Sequence, residues 1–260
     1  MLRCVERTDL SLIRDQGPSP RRPRADGGNR ITWFALPFLL AGAMSIGRAQ
    51  EATNEETPPE IAVPADGDEY SDLVRRAQAG QKVDFRRLRI SYLGSKAQAR
   101  AWEQQGRLDA LRSELPIRSR SGEDGPGDFA ARARKTAAAV LSIEYVDLEA
   151  HRLMRHACKA LGDAKCESLH KQIEFGMLES IAVTGNGESC RSGWEITSVP
   201  EEYFVMRALE LKVKSQGLAM EEGRACDQLE AIDANGRTVA RYFRVDLLLQ
   251  QHDQMLKDAH

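Results

Sequence analysis

The sequence predicts an α+β protein in which helical hairpins come first and a small antiparallel sheet comes last. Three observations lead there. Apolar residues recur at helical spacing between Tyr70 and Val183, and this pattern stops at Gly185, Asn186 and Gly187. Beyond Trp194 the chain reads as extended segments near 212–220, 225–233 and 238–246. The last two are joined by Asp233, Ala234, Asn235 and Gly236, residues that suit a tight hairpin turn. Helices followed by strands, rather than alternating with them, define the α+β class.

Tyr70, Leu73, Val74 and Ala77 share one helical face, and Gly80 ends that run. Asp84 is placed to cap a second helix with the apolar stripe Phe85, Leu88 and Tyr92, ending at Gly94. Residues 96–114 have helical composition, whereas Pro116 to Asp128 reads as a loop. An alanine-rich helix follows from Phe129 to Ile143, Asp147 caps the next as far as Leu161, and Gly162 and Asp163 turn the chain into a third, Ala164 to Val183. This helical hairpin has the look of one tetratricopeptide unit, with no second copy at a fixed period. Trp194 to Val199 reads as a strand, Pro200 to Leu209 as a short helix and Leu247 to Ala259 as a terminal helix.

The chain has 260 residues, 42% of them hydrophobic and 29% charged, a globular composition that excludes collagenous and multi-span membrane classes. Ile31 to Gly47 is an uncharged apolar run behind a leader holding Arg21, Arg22, Arg24 and Arg30. Small residues at Gly47 and Ala49 complete a secretory signal, so residues 1–49 are expected to be removed after Ala49, and the length of the leader points to a start downstream of Met1. The expected location is periplasmic or secreted, with no stable membrane span after cleavage. Residues 50–67, with Pro58, Pro59 and Pro64, are expected to be a disordered tether. Residues 68–260 are expected to form one domain, helical over 68–183 and mixed with β over 184–260. Removing residues 1–49 leaves 29 basic against 35 acidic residues, so nucleic acid is not an expected partner. The pairs Arg75 with Arg76 and Arg86 with Arg87 read as a solvated helix face.

The runs YSDLVRRAQAG, VDFRRLRISY, VDLEAH, LGDAKCESLH, SIAVTGNGESC, ITSVPEEYF and YFRVD resemble, in that order, a bacterial family of exported proteins known as domain of unknown function four-nine-one-nine. The resemblance implies export and a single domain, and it implies no activity, cofactor or catalytic residue. Where related sequences tend to read GDG, this chain has Gly185, Asn186 and Gly187. The missing carboxylate argues against a metal site at that place.

Four cysteines follow the signal, an even number that suits an oxidising compartment. Cys158 and Cys166 flank the Gly162 turn and are expected to pair, leaving Cys190 for Cys226. The competing arrangement is a zinc site of His151, Cys158, Cys166 and His170, which would need the cysteines as thiolates. No cofactor is expected. The first functional reading is a binding module for an envelope protein or peptide. The other is an envelope hydrolase or metal-dependent enzyme, with His151 or His170 as general base beside Glu201 or Glu202 and the amides of Gly185 to Gly187 stabilising an anion.

Overall fold

A computed structural model describes residues 61–62, 66–114 and 126–258; the expected signal, most of the expected tether, residues 115–125 and residues 259–260 lie outside them. The described helices are α1 (Glu69–Gln78), α2 (Phe85–Tyr92), α3 (Lys96–Glu103), α4 (Gln105–Glu114), α5 (Pro126–Ile143), α6 (Leu148–Ala160), α7 (Ala164–Ala182), α8 (Val199–Ala208) and α9 (Asp246–Asp258). The strands are β1 (Trp194–Glu195), β2 (Lys212–Glu221), β3 (Arg224–Ile232) and β4 (Thr238–Arg244). Short polar side chains start many of the helices: Asp68, Asp84, Ser95, Asp147 and Asp163 each accept from a backbone N–H in the first turn. The 96–114 segment is divided at Gln104 into two helices. α5 begins at Pro126, ahead of the expected Phe129, because a proline costs nothing in a first helical turn.

The sheet has the order β1-β4-β3-β2. β2, β3 and β4 form the expected antiparallel meander, and β1 joins parallel to β4, with Trp194 opposite Phe243, which makes the sheet mixed. β1 is only two residues long. Directly after it, Thr197 turns away and donates its N–H to Glu201 Oε2 in the first turn of α8 (2.7 Å), so the strand expected to reach Val199 stops early. The loop before β1 depends on its glycines for close packing. A Cβ on Gly187, which has φ +69°, would run into the Trp194 ring, and one on Gly185 would meet the Ser192 and Gly193 carbonyls.

α5, α6 and α7 pack successively, and α6 and α7 form the expected antiparallel hairpin around Gly162 (φ +76°). α2 crosses α7 at Gly176, where a side chain would collide with Phe85. The core runs without interruption from Val74 and Leu88 through Leu141, Met154 and Ile181 to Phe204, Leu229 and Phe243. The end of the expected tether is held: Ile61 packs against this core and its carbonyl accepts from Gln78, while Asp66 accepts from both Nη1 and Nη2 of Arg100. Cys158 with Cys166 and Cys190 with Cys226 lie at disulfide distance, with Cα separations of 5.8 and 5.5 Å. Crosslinks closing loops of these lengths remove about 2.6 and about 3.8 kcal/mol of chain entropy from the unfolded state.

Helical layer and sheet meet at a buried arginine. Arg89 of α2 has no exposed side-chain surface; its Nε and Nη2 grip Glu201 of α8 at 2.7 and 2.8 Å. Its Nη1 donates to Ser180 Oγ of α7 (3.1 Å), and Nη2 also donates to the Glu195 carbonyl of β1 (3.1 Å). Arg86, three residues earlier, reaches Glu195 from the surface, with half its side chain exposed. Removing one member of a buried ion pair strands the other charge, whereas an exposed pair contributes little. We therefore expect Arg89→Ala to cost about 3–5 kcal/mol in urea unfolding. Arg86→Ala should cost less than about 1 kcal/mol.

Candidate functional site

A cavity of about 310 Å³ opens where the first turns of α6 and α8 approach each other. Val146, Leu148, Pro200 and Tyr203 give it apolar surface, and two groups of charges border it. In the first group, Arg112 of α4 donates to Asp147 Oδ2 through Nε (2.9 Å) and Nη2 (2.8 Å), and Nη2 also reaches Glu144 (3.1 Å). Asp147 meanwhile caps α6 through its other oxygen, bound to the Ala150 N–H at 2.8 Å. In the second, Glu149 holds Arg152 on its own helix and Arg207 of α8. Ser198 begins α8 at the cavity wall without using its hydroxyl as a cap.

The two groups differ in titration. Burial pushes Glu144 up to about 7; Arg112 opposes this, and the charges of Asp147 and Glu201 add to it. Burial acts in the same direction on Glu149, but Arg152 and Arg207 outweigh it and hold that carboxyl below its ordinary value. The cavity thus has one wall whose charge changes near neutral pH and one that stays ionised.

The structure distributes the residues singled out from sequence over separate places. His151 and His170 meet between α6 and α7, Nδ1 to Nδ1 at 2.8 Å, both buried. His151 Nε2 lies 2.7 Å from the Tyr145 carbonyl and must be the donor there, so His151 Nδ1 accepts from His170. Burial, with His170 as the next cause, holds His151 well below its ordinary value, and burial, aided by Arg134, brings His170 down to about 4. Cys158 and Cys166 face each other at the opposite end of the hairpin. Among the described residues, the group of three His, Cys, Asp or Glu side chains close enough to share a metal is these two cysteines with Asp163, and neither histidine is part of it. The expected four-residue zinc set is therefore not assembled.

Glu201 borders the cavity, but its oxygens are taken by Arg89 and by the Thr197 N–H and hydroxyl. Glu202, fully buried, turns to the sheet, where Gln216 Nε2 donates to its Oε2 (3.1 Å) and to Asp227 Oδ2 (2.9 Å). Burial first, then the charge of Asp227 and a hydrogen bond shared with it, push Glu202 up to about 9. The Asn186 and Gly187 amides expected to stabilise an anion both donate to the Ser192 carbonyl, at 2.9 and 3.0 Å. Sequence reasoning passed over Arg89, Arg112 and Glu144. Arg89 carried a signal, since it follows Leu88 within a surface-like basic run. Arg112 and Glu144 carried none, because 32 residues separate them.

Helices α4, α6 and α8 border a small charged cavity in an α+β fold, and the described residues around it form no recognisable catalytic motif. Residues 128–254 match the model of a family described as a domain of unknown function (DUF4919), the family that the ordered motifs resemble. The match takes in the α6–α7 hairpin, α8 and the sheet, and it starts after α1 to α4, so two of the quoted motifs lie ahead of it. No curated protein and no solved structure matches the chain. Among the described residues, no helix is long and apolar enough to cross a membrane.

The histidine pair sets a pH dependence. A histidine with a depressed folded pKa is protonated more readily when unfolded, so its stabilising effect is complete above about 6.5 and is lost as the pH falls towards 4. In His170→Gln the side-chain N–H donor to His151 is kept and one titrating group is removed. Urea unfolding should show the variant close to wild type at pH 7.5 and losing less stability than wild type between pH 6.5 and 4.5.

Proposed function

We propose that the protein is an exported binding module of the bacterial envelope and that the cavity between α6 and α8 receives its ligand, a short segment of an envelope protein or peptide. The observation that carries this reading is the cavity itself: apolar at Val146, Leu148 and Tyr203, bordered by opposite charges, and within the volume range of small ligand sites. A peptide segment supplies both an apolar side chain and groups that answer such charges. Cysteine pairs at disulfide distance, together with the apolar run and small residues ending at Ala49, support export to an oxidising compartment, periplasmic or outside the cell.

One observation favours a second reading, a hydrolase of the envelope. Glu144 sits in the cavity wall with a pKa of about 7, the value expected of a general base. This moves the chemistry away from His151, His170 and Glu202, which meet no common space. Glu144→Gln would abolish a hydrolytic activity while leaving ligand binding within about a few fold.

A photo-crosslinking residue at Arg207, exposed at the cavity rim, tests the first reading in the native host. The expected result is a discrete crosslinked species that Ser198→Trp eliminates, because the indole fills the cavity and Ser198 makes no cap bond to lose. Crosslinking that survives Ser198→Trp in folded protein would place the ligand elsewhere.

A further inference from the structure

We propose that Glu202, Asp227 and Gln216 form a binding site for a divalent cation, calcium, where α8 packs over β2 and β3. Leu218 is paired with Asp227 and Gln216 with Leu229, so Gln216 and Asp227 project from the same face of neighbouring strands, and α8 brings Glu202 onto that face. One amide nitrogen, Gln216 Nε2, bridges the two carboxyl groups. Glu202 is fully buried, and its Oε1 has no hydrogen-bond donor among the described residues. The charges acting on it, from Asp227 and Glu201, are both negative, and that of Glu201 is already matched by Arg89. In its neutral form Glu202 shares a proton with Asp227 and still leaves Oε1 bare; with both carboxyls ionised, the buried pair is costly unless a positive charge takes the proton's place.

A cation supplies that charge. Which end of the Gln216 amide carries oxygen is fixed only by its network. Turned over, its oxygen faces the carboxylates, and its NH₂ faces the Tyr203 hydroxyl, which now donates to Gln216 Oε1 at 2.8 Å and would then accept. The donors are then three oxygens from three elements, with the exposed side of Gln216 and half-buried Asp227 leaving room for water. An all-oxygen set with a neutral carbonyl and no rigid octahedral frame suits calcium better than magnesium or zinc. Binding would also fix Tyr203, whose ring borders the cavity.

The test uses the exported protein treated with chelator and then titrated with calcium chloride, following the unfolding temperature and the heat of binding. The expected result is a saturable rise in unfolding temperature with half-saturation at about 10⁻⁴–10⁻³ M. Glu202→Gln, whose amide imitates the neutral carboxyl and preserves the fold, and Asp227→Asn should each weaken binding about tenfold or more. Should Glu202→Gln fail to fold, Asp227→Asn decides alone. No saturable shift in the wild type, or a shift retained in the folded variants, overturns the proposal. An equal shift with magnesium chloride overturns the assignment to calcium.

Discussion

The grip of Arg89 on Glu201 is the constraint on which the rest of this structure depends. An arginine with no exposed side-chain surface can be kept in a protein only if its charge and its donors are answered, and here one carboxylate, one hydroxyl and one backbone carbonyl answer them. Those acceptors come from α8, α7 and β1. The three elements are thereby held to α2, although the acceptors lie 91 to 112 residues along the chain from Arg89. Apolar packing could join helices and sheet in several ways, and a bidentate ion pair admits few.

The cavity follows from that placement. Glu201 lies in the first turn of α8, so fixing its carboxyl fixes the start of the helix beside the start of α6. Asp147 does the same from the other side, capping α6 with one oxygen and receiving Arg112 with the other. Two helix N-termini thus face one space, and the acids around them are matched by arginines from elsewhere in the chain. Glu144 is the exception, since a single hydrogen bond to Arg112 does not offset its burial.

The elements themselves were largely legible in the sequence, because helix periodicity, Asp caps, glycine stops and the Asp233 turn are local signals. The cysteine partners could also be inferred, Cys158 and Cys166 from their symmetry about Gly162. β1 was overestimated because Ile196 and Thr197 have strand-like side chains, while the Thr197 amide donates to the Glu201 carboxylate instead of to a neighbouring strand. The site was legible only in fragments. Glu201 and Glu202 looked equivalent at a helix start, yet helical geometry points them in different directions, one to Arg89 and the other to Asp227. The histidines have ligand spacing along their helices, but the hairpin turns them towards each other and away from the cysteines. Arg89, Arg112 and Glu144 join parts of the chain that no local pattern relates.

Hydrogen exchange in Glu201→Gln, compared with wild type, tests most directly whether the buried pair organises helices, sheet and cavity together. The account predicts that amides of α8, β1 and the first turn of α6 lose protection as a group, while the α6–α7 interface around Met154 and Ile173 keeps it. Unchanged protection in α8 and β1 would contradict the central role given to Arg89 and Glu201.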